Sequence, residues 1–360
     1  MLHHPINFVD LSKFHFFKQA IFTPVRTIKI KEKMGLFAAL HRKLNPEIFQ
    51  GPGQSSNYFE GWYFKVVNVS QNRAFAFIPG IALDKNGQGH AFIQVLDGIQ
   101  ETARYHRFDL ADFEADSRVF KLQLANNFFS EQTLSLQLPD LQGELSFAQN
   151  TPWPKPWYSP GIMGPFSFVP FMQCYHGIVS MDNCISGYLD YKGERINFEG
   201  GRGYLEKDWG RSFPSAYIWM QTNHFSSQGI SLKVSVANIP WLGSSFVGFI
   251  AGLWLKDQLI QFTTYNGTRL KHCYADTKKV EIILQNRRHL LKLSALRSGS
   301  TELASPIQGA MQGKIEESMT AEIKVELWDQ KRNRLIWQDV GKSAGLEVAG
   351  AIETILKYTK

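Results

Sequence analysis

Hydrophobic and polar residues alternate with a period of two in segment after segment beyond residue 50. The stretch EIKVEL, residues 322–327, places charged and apolar side chains on opposite faces, as a half-buried strand does. Short turn sequences join several of these segments, namely Asn86-Gly87, Lys192-Gly193 and Lys256-Asp257. Such turns between alternating segments are typical of β-hairpins. The pattern therefore predicts an all-β protein of many short antiparallel strands, arranged as barrels or a sandwich.

The length of 360 residues and the hydrophobic fraction of 44% allow one large or two medium globular domains. Helical periodicity is confined to the first 45 residues and to residues 352–360. Between the two halves, residues 151–170 hold six prolines and several aromatic rings, which predicts an ordered loop that caps a cavity. We predict a helical leader (1–49), two β domains (50–200 and 201–350) and a tail (351–360).

Composition and cysteine usage narrow the class of protein. Charged residues make up only 20% of the chain and aromatic residues 13%, which excludes a disordered chain. Three cysteines without a CxxC pair favour a reducing compartment, and the first residues lack the features of a secretory signal. The apolar run over residues 241–255 is too short to span a bilayer. We therefore expect a cytoplasmic location.

The net charge of +7 is concentrated near the N-terminus, where residues 1–48 hold eight Lys or Arg and three acidic residues. Phenylalanines are interleaved with these basic residues, as in segments that lie on an anionic membrane surface. We expect peripheral binding to the inner face of a membrane; the alternative is a solvated extension that packs its phenylalanines on the domain. The basic residues do not follow the pattern of an RNA-binding sheet, so no nucleic-acid partner is expected.

Glu60 is unusual because it lies in a strand-like segment rich in aromatic rings, NYFEGWYFKVV, residues 57–67. Alternation places Glu60 with Tyr58, Trp62 and Phe64 on the more apolar face, so its side chain should point inward. A buried carboxyl is either paired, or protonated and available as an acid near neutral pH. Both a proton donor and a structural glutamate hydrogen-bonded in the core fit this pattern.

A second stretch, residues 200–225, is more distinctive. Alternation places Tyr204, Glu206 and Asp208 on one face of a strand, and Lys207 and Arg211 lie close enough in sequence to pair with these acids. After Pro214 the alternation resumes with a set that resembles a ligand surface, because aromatic rings can hold a flat group while amides orient its oxygens: Tyr217, Trp219, Gln221, Asn223 and Phe225. A salt-bridged strand end is the competing interpretation.

The other chemistry-bearing residues do not form recognisable motifs. The cysteines and histidines at positions 174, 176, 184, 224 and 272 lack metal-site spacing, so no metal is expected. The sequence contains no GxSxG elbow, phosphate-binding glycine loop or dinucleotide fingerprint.

Five motifs together resemble the tocopherol cyclase family: NPEIFQG (45–51), YFEGWYFK (58–65), SPGIMGPFSFVPFMQCYHGIVSM (159–181), GYLEKDWGRSFPSAYIWMQTNHF (203–225) and AGLEVAG (344–350). The EKDWG element is also distantly similar to hydroxyneurosporene synthase and to lipocalin-like Diels–Alderases. The resemblance implies two tandem lipocalin-like, calycin-type antiparallel β-barrels with an apolar cavity near their junction.

The resemblance also implies a reaction: closure of a chroman ring on a prenylated hydroquinone, without a cofactor. An acid protonates an alkene, and the phenol oxygen traps the tertiary cation. Transferred to this chain, the pattern makes Glu206 the first choice of proton donor, with Glu60 second and Asp208 third. The implied substrate-binding residues are Trp62, Trp209, Arg211, Tyr217, Trp219, Gln221 and Asn223, with the tryptophans facing the cation and the two amides holding the quinol oxygens.

Two other functions use the same fold. An isoprenoid hydratase or pericyclase would keep the acid but let water or a diene react. A lipocalin-like carrier would bind an apolar isoprenoid lipid and leave it unchanged. Tyr217 stands where the family pattern leads us to expect tryptophan, which favours a relative that acts on a different lipid.

Overall fold

The computed structural model describes residues 36–356. Two short α-helices flank the strands, α1 (Leu36–Leu44) and α2 (Glu353–Leu356), and two 3₁₀ helices lie at Leu110–Asp112 and Gly164–Phe168. The leader prediction falls mainly on residues 1–35, outside the described part of the chain. Over residues 36–356, no helix has the length and apolar character that crossing a membrane requires.

The first antiparallel sheet contains twelve strands. They are β1 (Tyr58–Val67), β2 (Ala74–Leu83), β3 (Gly89–Asp97), β4 (Thr102–Phe108), β5 (Phe113–Ala115), β6 (Lys121–Leu124), β7 (Asn127–Ser130), β8 (Thr133–Leu138), β9 (Leu141–Ala148), β10 (Cys174–Tyr191), β11 (Glu194–Asn197) and β12 (Gly201–Gly210). The strand order is β4-β3-β2-β1-β12-β10-β9-β8-β7-β6-β5, with β11 paired to β10.

The second antiparallel sheet contains ten strands. They are β13 (Ala216–Thr222), β14 (Ser231–Trp241), β15 (Ser244–Leu255), β16 (Gln258–Thr263), β17 (Arg269–Ala275), β18 (Lys279–Gln285), β19 (His289–Leu296), β20 (Thr301–Ile307), β21 (Ala310–Asp329) and β22 (Arg334–Gly350). The order is β16-β15-β14-β13-β22-β21-β19-β18-β17, with β20 paired to β21.

The predicted antiparallel all-β fold is confirmed, and the three predicted hairpins connect β2 to β3, β10 to β11 and β15 to β16. Within residues 36–356, no strand pairing joins β4 to β5 or β16 to β17, so hydrogen bonds do not close either sheet into a barrel. The sheets divide between Gly210 and Ala216, ten residues beyond the predicted boundary at residue 200. The reason is that β12 pairs with β1 on one side and with β10 on the other.

Buried apolar side chains form three clusters. One covers one face of the first sheet and includes Trp62 and Phe64, and another covers one face of the second sheet and includes Ile218 and Leu346. The third lies between the sheets and includes Tyr63, Tyr204, Tyr217, Trp219 and Met319. Strands such as β1 are therefore buried on both faces, and alternate residues of one strand contribute to different clusters.

Candidate active site

A cavity of about 190 Å³ lies between the two sheets, beside the third cluster. Four carboxylic acids and one histidine line it: Glu206, Asp208, Glu317, Glu347 and His176. Most of the remaining lining is aromatic or aliphatic, including Phe59, Tyr63, Phe92, Phe213, Tyr217, Trp219, Phe246 and Phe249. An apolar cavity with a few converging polar groups is the usual form of a small-molecule site.

Glu206 reaches the cavity because β12 alternates, which places Glu206 and Asp208 on one face and Lys207 on the other. Two hydrogen-bond donors and one histidine nitrogen, which makes no hydrogen bond, surround one oxygen of Glu206. The Tyr204 hydroxyl donates to Oε2, Trp219 Nε1–H donates to it over 3.1 Å, and His176 Nε2 lies 3.5 Å away. The side chain is almost completely buried, and no hydrogen bond from residues 36–356 reaches its Oε1. That oxygen is available to a ligand.

His176 and Asp208 form a pair next to Glu206. They are opposite each other in the β10–β12 ladder, and His176 Nδ1 lies 2.7 Å from Asp208 Oδ1. This bond fixes the orientation of the imidazole ring, so that Nε2 is directed at Glu206. Proton exchange between the ring and the carboxyl is therefore geometrically accessible.

The opposite wall carries a second pair of acids, Glu317 on β21 and Glu347 on β22, which are register partners. Trp219 is in turn the register partner of Glu347, so the three side chains form one row across the second sheet. The Tyr63 hydroxyl donates to Glu317 Oε1, and the Tyr217 hydroxyl donates to Glu347 Oε2 over 2.6 Å.

Burial raises the pKa of all three glutamates that line the cavity. For Glu206, the nearby charges of His176 and Lys233 oppose this increase in pKa. For Glu317 the pKa is raised to about 7, against the opposing effects of the Tyr63 hydrogen bond and the Lys65 charge. For Glu347 burial and the adjacent Glu317 raise the pKa well above its usual value. Protonated carboxyls near neutral pH are the form that an acid catalyst requires.

Two buried lysines lie behind this cluster. Lys233 donates to the Ser235 hydroxyl, and Lys65 donates to Gln221 Oε1 over 3.0 Å and to the Ser343 carbonyl. Burial lowers the pKa of both ammonium groups, that of Lys65 to about 7. Their charges favour the ionised forms of Glu206 and Glu317 without lining the cavity.

One glycine is required for this arrangement. A Cβ atom on Gly345 of β22 would lie 2.5 Å from Cζ3 of Trp219, closer than real contacts allow. The indole therefore lies flat against the backbone of β22, which directs its N–H at Glu206 on the other sheet.

The predicted capping loop contributes to the cavity through Met163 and Phe166. Phe166 packs edge-on against Tyr265 with ring centroids 6.2 Å apart, and the Tyr265 hydroxyl donates to the Ile162 carbonyl over 2.7 Å. The loop is thus anchored to the second sheet beside the cavity.

The sequence model of the family described as tocopherol cyclase-like matches residues 144–350, more than half of the chain. The protein belongs to this family. The predicted resemblance is thereby confirmed, and the matched region contains all five acidic and histidine residues that line the cavity.

Plant relatives share limited identity with this tocopherol cyclase-like protein. It is 24% identical over 269 residues to the chloroplastic tocopherol cyclase of Zea mays, and 22% identical over 267 residues to the probable chloroplastic tocopherol cyclase of Oryza sativa subsp. japonica. Each alignment covers 71% of this chain and 53% of the relative. The chain spans about half the length of the curated relatives it matches.

A solved structure is similar in fold. CghA in complex with Sch210972 has a TM-score of 0.51 and 9% identity, over 81% of this chain and 88% of that one. The likeness supports the predicted lipocalin-like fold class.

Four of the sequence-predicted site residues line the cavity of this tocopherol cyclase-like protein: Glu206, Asp208, Tyr217 and Trp219. Their chemical roles remain predictions. Each of the two acids has one oxygen engaged, Glu206 by Tyr204 and Trp219 and Asp208 by His176, and Glu206 is the more deeply buried.

Glu60 does not line the cavity, in contrast to its predicted place at the active site. It is fully buried on the other face of β1, where Lys207 Nζ lies 2.5 Å from Oε1. The Tyr58 hydroxyl donates to Oε2, and the backbone N–H of Gln50 donates to Oε1 over 2.8 Å. This geometry fits the structural alternative, a core glutamate whose charge is paired.

Trp62 lies on the same face of β1 as Glu60, and Trp209 lies on the same face of β12 as Lys207. Neither tryptophan lines the cavity, so that prediction is wrong. Trp62 stacks on Phe120 with ring centroids 5.6 Å apart, and Trp209 stacks on Tyr175 at 5.5 Å. The Lys207 ammonium lies 4.6 Å from the centroid of the Trp62 ring and 4.9 Å from that of Trp209.

Gln221, Asn223 and Arg211 also lie away from the cavity lining. Gln221 shares a face with Trp219 but lies further along β13, where it binds Lys65; Asn223 Nδ2 donates to Asp182 Oδ1 over 2.9 Å. Arg211 is exposed beyond the end of β12 and donates to the Phe171 carbonyl over 3.3 Å. None of the three is placed to hold a quinol oxygen in this cavity.

Sequence reasoning missed Glu317 and Glu347, and considered His176 only as a metal ligand. Glu347 lies within the AGLEVAG motif and alternates with apolar neighbours, which was a usable signal. Glu317 had no local signal, because the adjacent Glu316 looks equivalent in sequence yet is exposed.

His176, Glu206 and Asp208 offer ligand atoms that all lie within 4.8 Å of one another, a spacing that a metal ion could bridge. Their separation in sequence hid this proximity. The expectation that no metal is bound remains a prediction.

Proposed function

We propose that this protein is a cofactor-independent acid catalyst that closes a chroman ring on a prenylated hydroquinone, an intramolecular lyase of the isomerase class. The observation that carries the proposal is Glu206, a buried carboxyl with a raised pKa and one free oxygen in an apolar, aromatic cavity. Membership of the tocopherol cyclase-like family supports the same reaction.

The chemistry requires an acid that is protonated, close to the alkene and shielded from water. Burial raises the pKa of Glu206 and so favours its protonated form. When the proton moves to the alkene, Tyr204 and Trp219 stabilise the carboxylate that remains, because their polar hydrogens are already directed at Oε2. Protonation and trapping leave the oxidation state unchanged, so the proposed reaction needs no redox cofactor.

The tertiary cation formed next needs an environment that stabilises positive charge and excludes water. Trp219 and Tyr63, with ring centroids 5.5 Å apart, offer aromatic faces beside Glu206, each worth about 0.5–2 kcal/mol to a desolvated cation. The ionisable acids around the cavity favour a positive rather than a negative intermediate. The phenol oxygen then attacks the cation, its O–H bond breaks with release of the proton, and the chroman ring closes.

We also propose that residues 1–48 bring the protein to an anionic membrane surface on the cytoplasmic side, where an apolar prenylated quinol would be dissolved. The excess of Lys and Arg among phenylalanines supports this step.

The test uses purified protein and a phytylated dimethylbenzoquinol in deuterated buffer, with products analysed by mass spectrometry. Wild-type protein is compared with Glu206→Gln and with Glu316→Gln, an exposed neighbour of the cavity acids that serves as the matched control. We expect a chroman with one deuterium on the carbon next to the new ether centre, formed by wild type and the control and absent from Glu206→Gln.

Other outcomes separate the alternatives. Tight binding of the quinol by all three proteins without product would overturn the proposal in favour of a lipid carrier. A tertiary alcohol from the wild-type protein would favour the hydratase. A chroman formed equally by Glu206→Gln would remove Glu206 from the acid role.

A further inference from the structure

Glu317 has a buried oxygen that lacks a partner. Its Oε1 accepts the Tyr63 hydroxyl, whereas Oε2 is inaccessible to solvent and has no hydrogen-bond partner among residues 36–356. The residue is 1% exposed and lines the cavity. An unpaired carboxyl oxygen in this position is destabilising, and a ligand that donates a hydrogen bond to it would relieve that cost.

Glu317 faces Glu206 from the opposite sheet. Tyr63 is the register partner of Glu206 on the first sheet, and its hydroxyl crosses to Glu317. Trp219 lies in the row of Glu317 on the second sheet, and its N–H crosses to Glu206. Two reciprocal hydrogen bonds therefore fix the two carboxyls relative to each other.

The two carboxyls differ in their surroundings. Two hydrogen-bond donors converge on Glu206, which stabilises the anion that remains after it has given up a proton. Glu317 has one donor, and the charge of Lys65 favours its ionised form, while the charge of Glu206 disfavours ionisation of both acids together. Repulsion between the two carboxylates therefore favours a state in which the pair holds a single proton.

We propose that Glu317 binds the phenolic O–H and accepts its proton, while Glu206 on the opposite wall protonates the alkene; the inference rests on the proposed function. In the first step the O–H bond of Glu206 breaks and a C–H bond forms on the alkene. In the second the phenol O–H bond breaks, a C–O bond forms to the tertiary cation, and the proton moves to Glu317. Glu317 then releases that proton to water, and Glu206 regains one through His176, so that no net proton is consumed.

The experiment measures proton transfer and ring closure separately. Wild type, Glu317→Gln, Glu206→Gln and the control Glu316→Gln are incubated with the phytylated quinol in deuterated buffer, and deuterium is located in the product and in recovered substrate. Glutamine can still accept the Tyr63 hydroxyl, so Glu317→Gln should unfold at the same temperature as wild type.

We expect Glu317→Gln to lower kcat for the chroman by about 100-fold with little change in KM. Its cation should still form, so deuterium should enter the tail of recovered substrate or of a tertiary alcohol. Glu206→Gln should show no carbon-bound deuterium in the tail of any species. The ascending limb of the wild-type pH profile should be absent from Glu317→Gln.

Three results would contradict this assignment. Chroman formation by Glu317→Gln at the wild-type rate and pH profile removes Glu317 from the reaction. A loss of kcat without deuterium in recovered substrate, or a loss that accompanies a lower unfolding temperature, indicates a role in folding or in the first step. Absence of chroman from the wild-type protein overturns the proposed function itself, which distinguishes the two failures.

Discussion

Trp219 Nε1 donates a hydrogen bond to Glu206 Oε2 over 3.1 Å, from one sheet to the other. The two residues come from neighbouring strands in sequence, β12 and β13, which belong to different sheets. The bond thus joins the two walls of the cavity at the residue to which we assign proton donation.

Substitution of Trp219 by phenylalanine should make Glu206 a poorer proton donor while the carboxyl itself stays in place. A hydrogen bond to a charged group contributes about 1.5–3 kcal/mol, so loss of this donor should lower kcat by about 10–100-fold. Quinol affinity should change little, because phenylalanine still fills most of the same space. Steady-state kinetics check this, with Trp337→Phe, which packs against Phe225 outside the cavity lining, as control. Equal kcat in both variants would contradict the assigned role.

The pH dependence of kcat/KM should follow the ionisation of Glu317. Its pKa is raised to about 7, so kcat/KM should rise with pH through this region as the acceptor ionises. The Tyr63 hydrogen bond favours the ionised form and opposes the rise in pKa. Tyr63→Phe should therefore raise the pKa further and move the ascending limb to higher pH. A limb that stays in place, or moves to lower pH, would be inconsistent with Glu317 as the titrating group.

The Glu60–Lys207 pair should matter for stability. Lys207→Met leaves the Glu60 carboxylate buried without its partner and should reduce the free energy of unfolding by about 3–5 kcal/mol. The double variant Lys207→Met/Glu60→Met should recover much of that loss, because neither charge is then left unpaired. Urea denaturation measures both.

The more exposed Lys155–Glu47 pair provides the control for this comparison. Its nitrogen and oxygen lie 2.7 Å apart, yet Lys155→Met should reduce the free energy of unfolding by at most about 1 kcal/mol.

The double variant Lys207→Met/Glu60→Met also tests the structural role of Glu60. If it folded and bound the quinol but no longer cyclised it, Glu60 would regain a chemical role.

Gly61 lines the cavity, so a larger side chain at this position should reduce the cavity volume. A Cβ atom there would lie 3.6 Å from Ile78 Cγ2, an ordinary contact, so Gly61→Ala should be tolerated. Gly61→Leu should extend into the cavity and weaken binding of a neutral apolar dye such as Nile red more than tenfold. Fluorescence titration of both variants checks this, and unchanged affinity in the leucine variant would mean that the ligand binds elsewhere.

The leader prediction can be tested without a description of its structure. Residues 1–31 contain five Lys or Arg. Their deletion should reduce sedimentation with vesicles that contain phosphatidylserine, while cyclisation of detergent-dispersed quinol should persist. Equal sedimentation of the two proteins would contradict membrane attachment through this segment.

Sequence alternation predicted which residues share a face, and at β12 and β13 it grouped Glu206 with Asp208 and Tyr217 with Trp219 correctly. It could not say which face meets the cavity where a strand is buried on both sides, as β1 is. Glu60 was correctly grouped with Tyr58, Trp62 and Phe64, but that buried face does not line the cavity. Nor does alternation indicate how far a cavity extends along a strand, and for this reason Gln221 was placed in it.

The remaining site residues depend on pairing between distant segments. His176 meets Asp208 through the β10–β12 register, and Glu317 meets Glu347 through the β21–β22 register. Both ladders contain irregularities that shift the register, and a one-residue shift moves every side chain to the other face. Local patterns therefore could not bring these groups together.

The central place of β12 has a consequence for how the chain folds as it is synthesised. Strands β2–β4 and β9–β5 extend from β1 and β10, and only β12 joins those two halves of the first sheet. Until Gly210 has left the ribosome, β1 and β10 each keep an unpaired edge, the kind of edge that invites pairing with another chain. A nascent chain halted before that residue would therefore be prone to aggregation, and both edges are covered only by the strand that also carries Glu206.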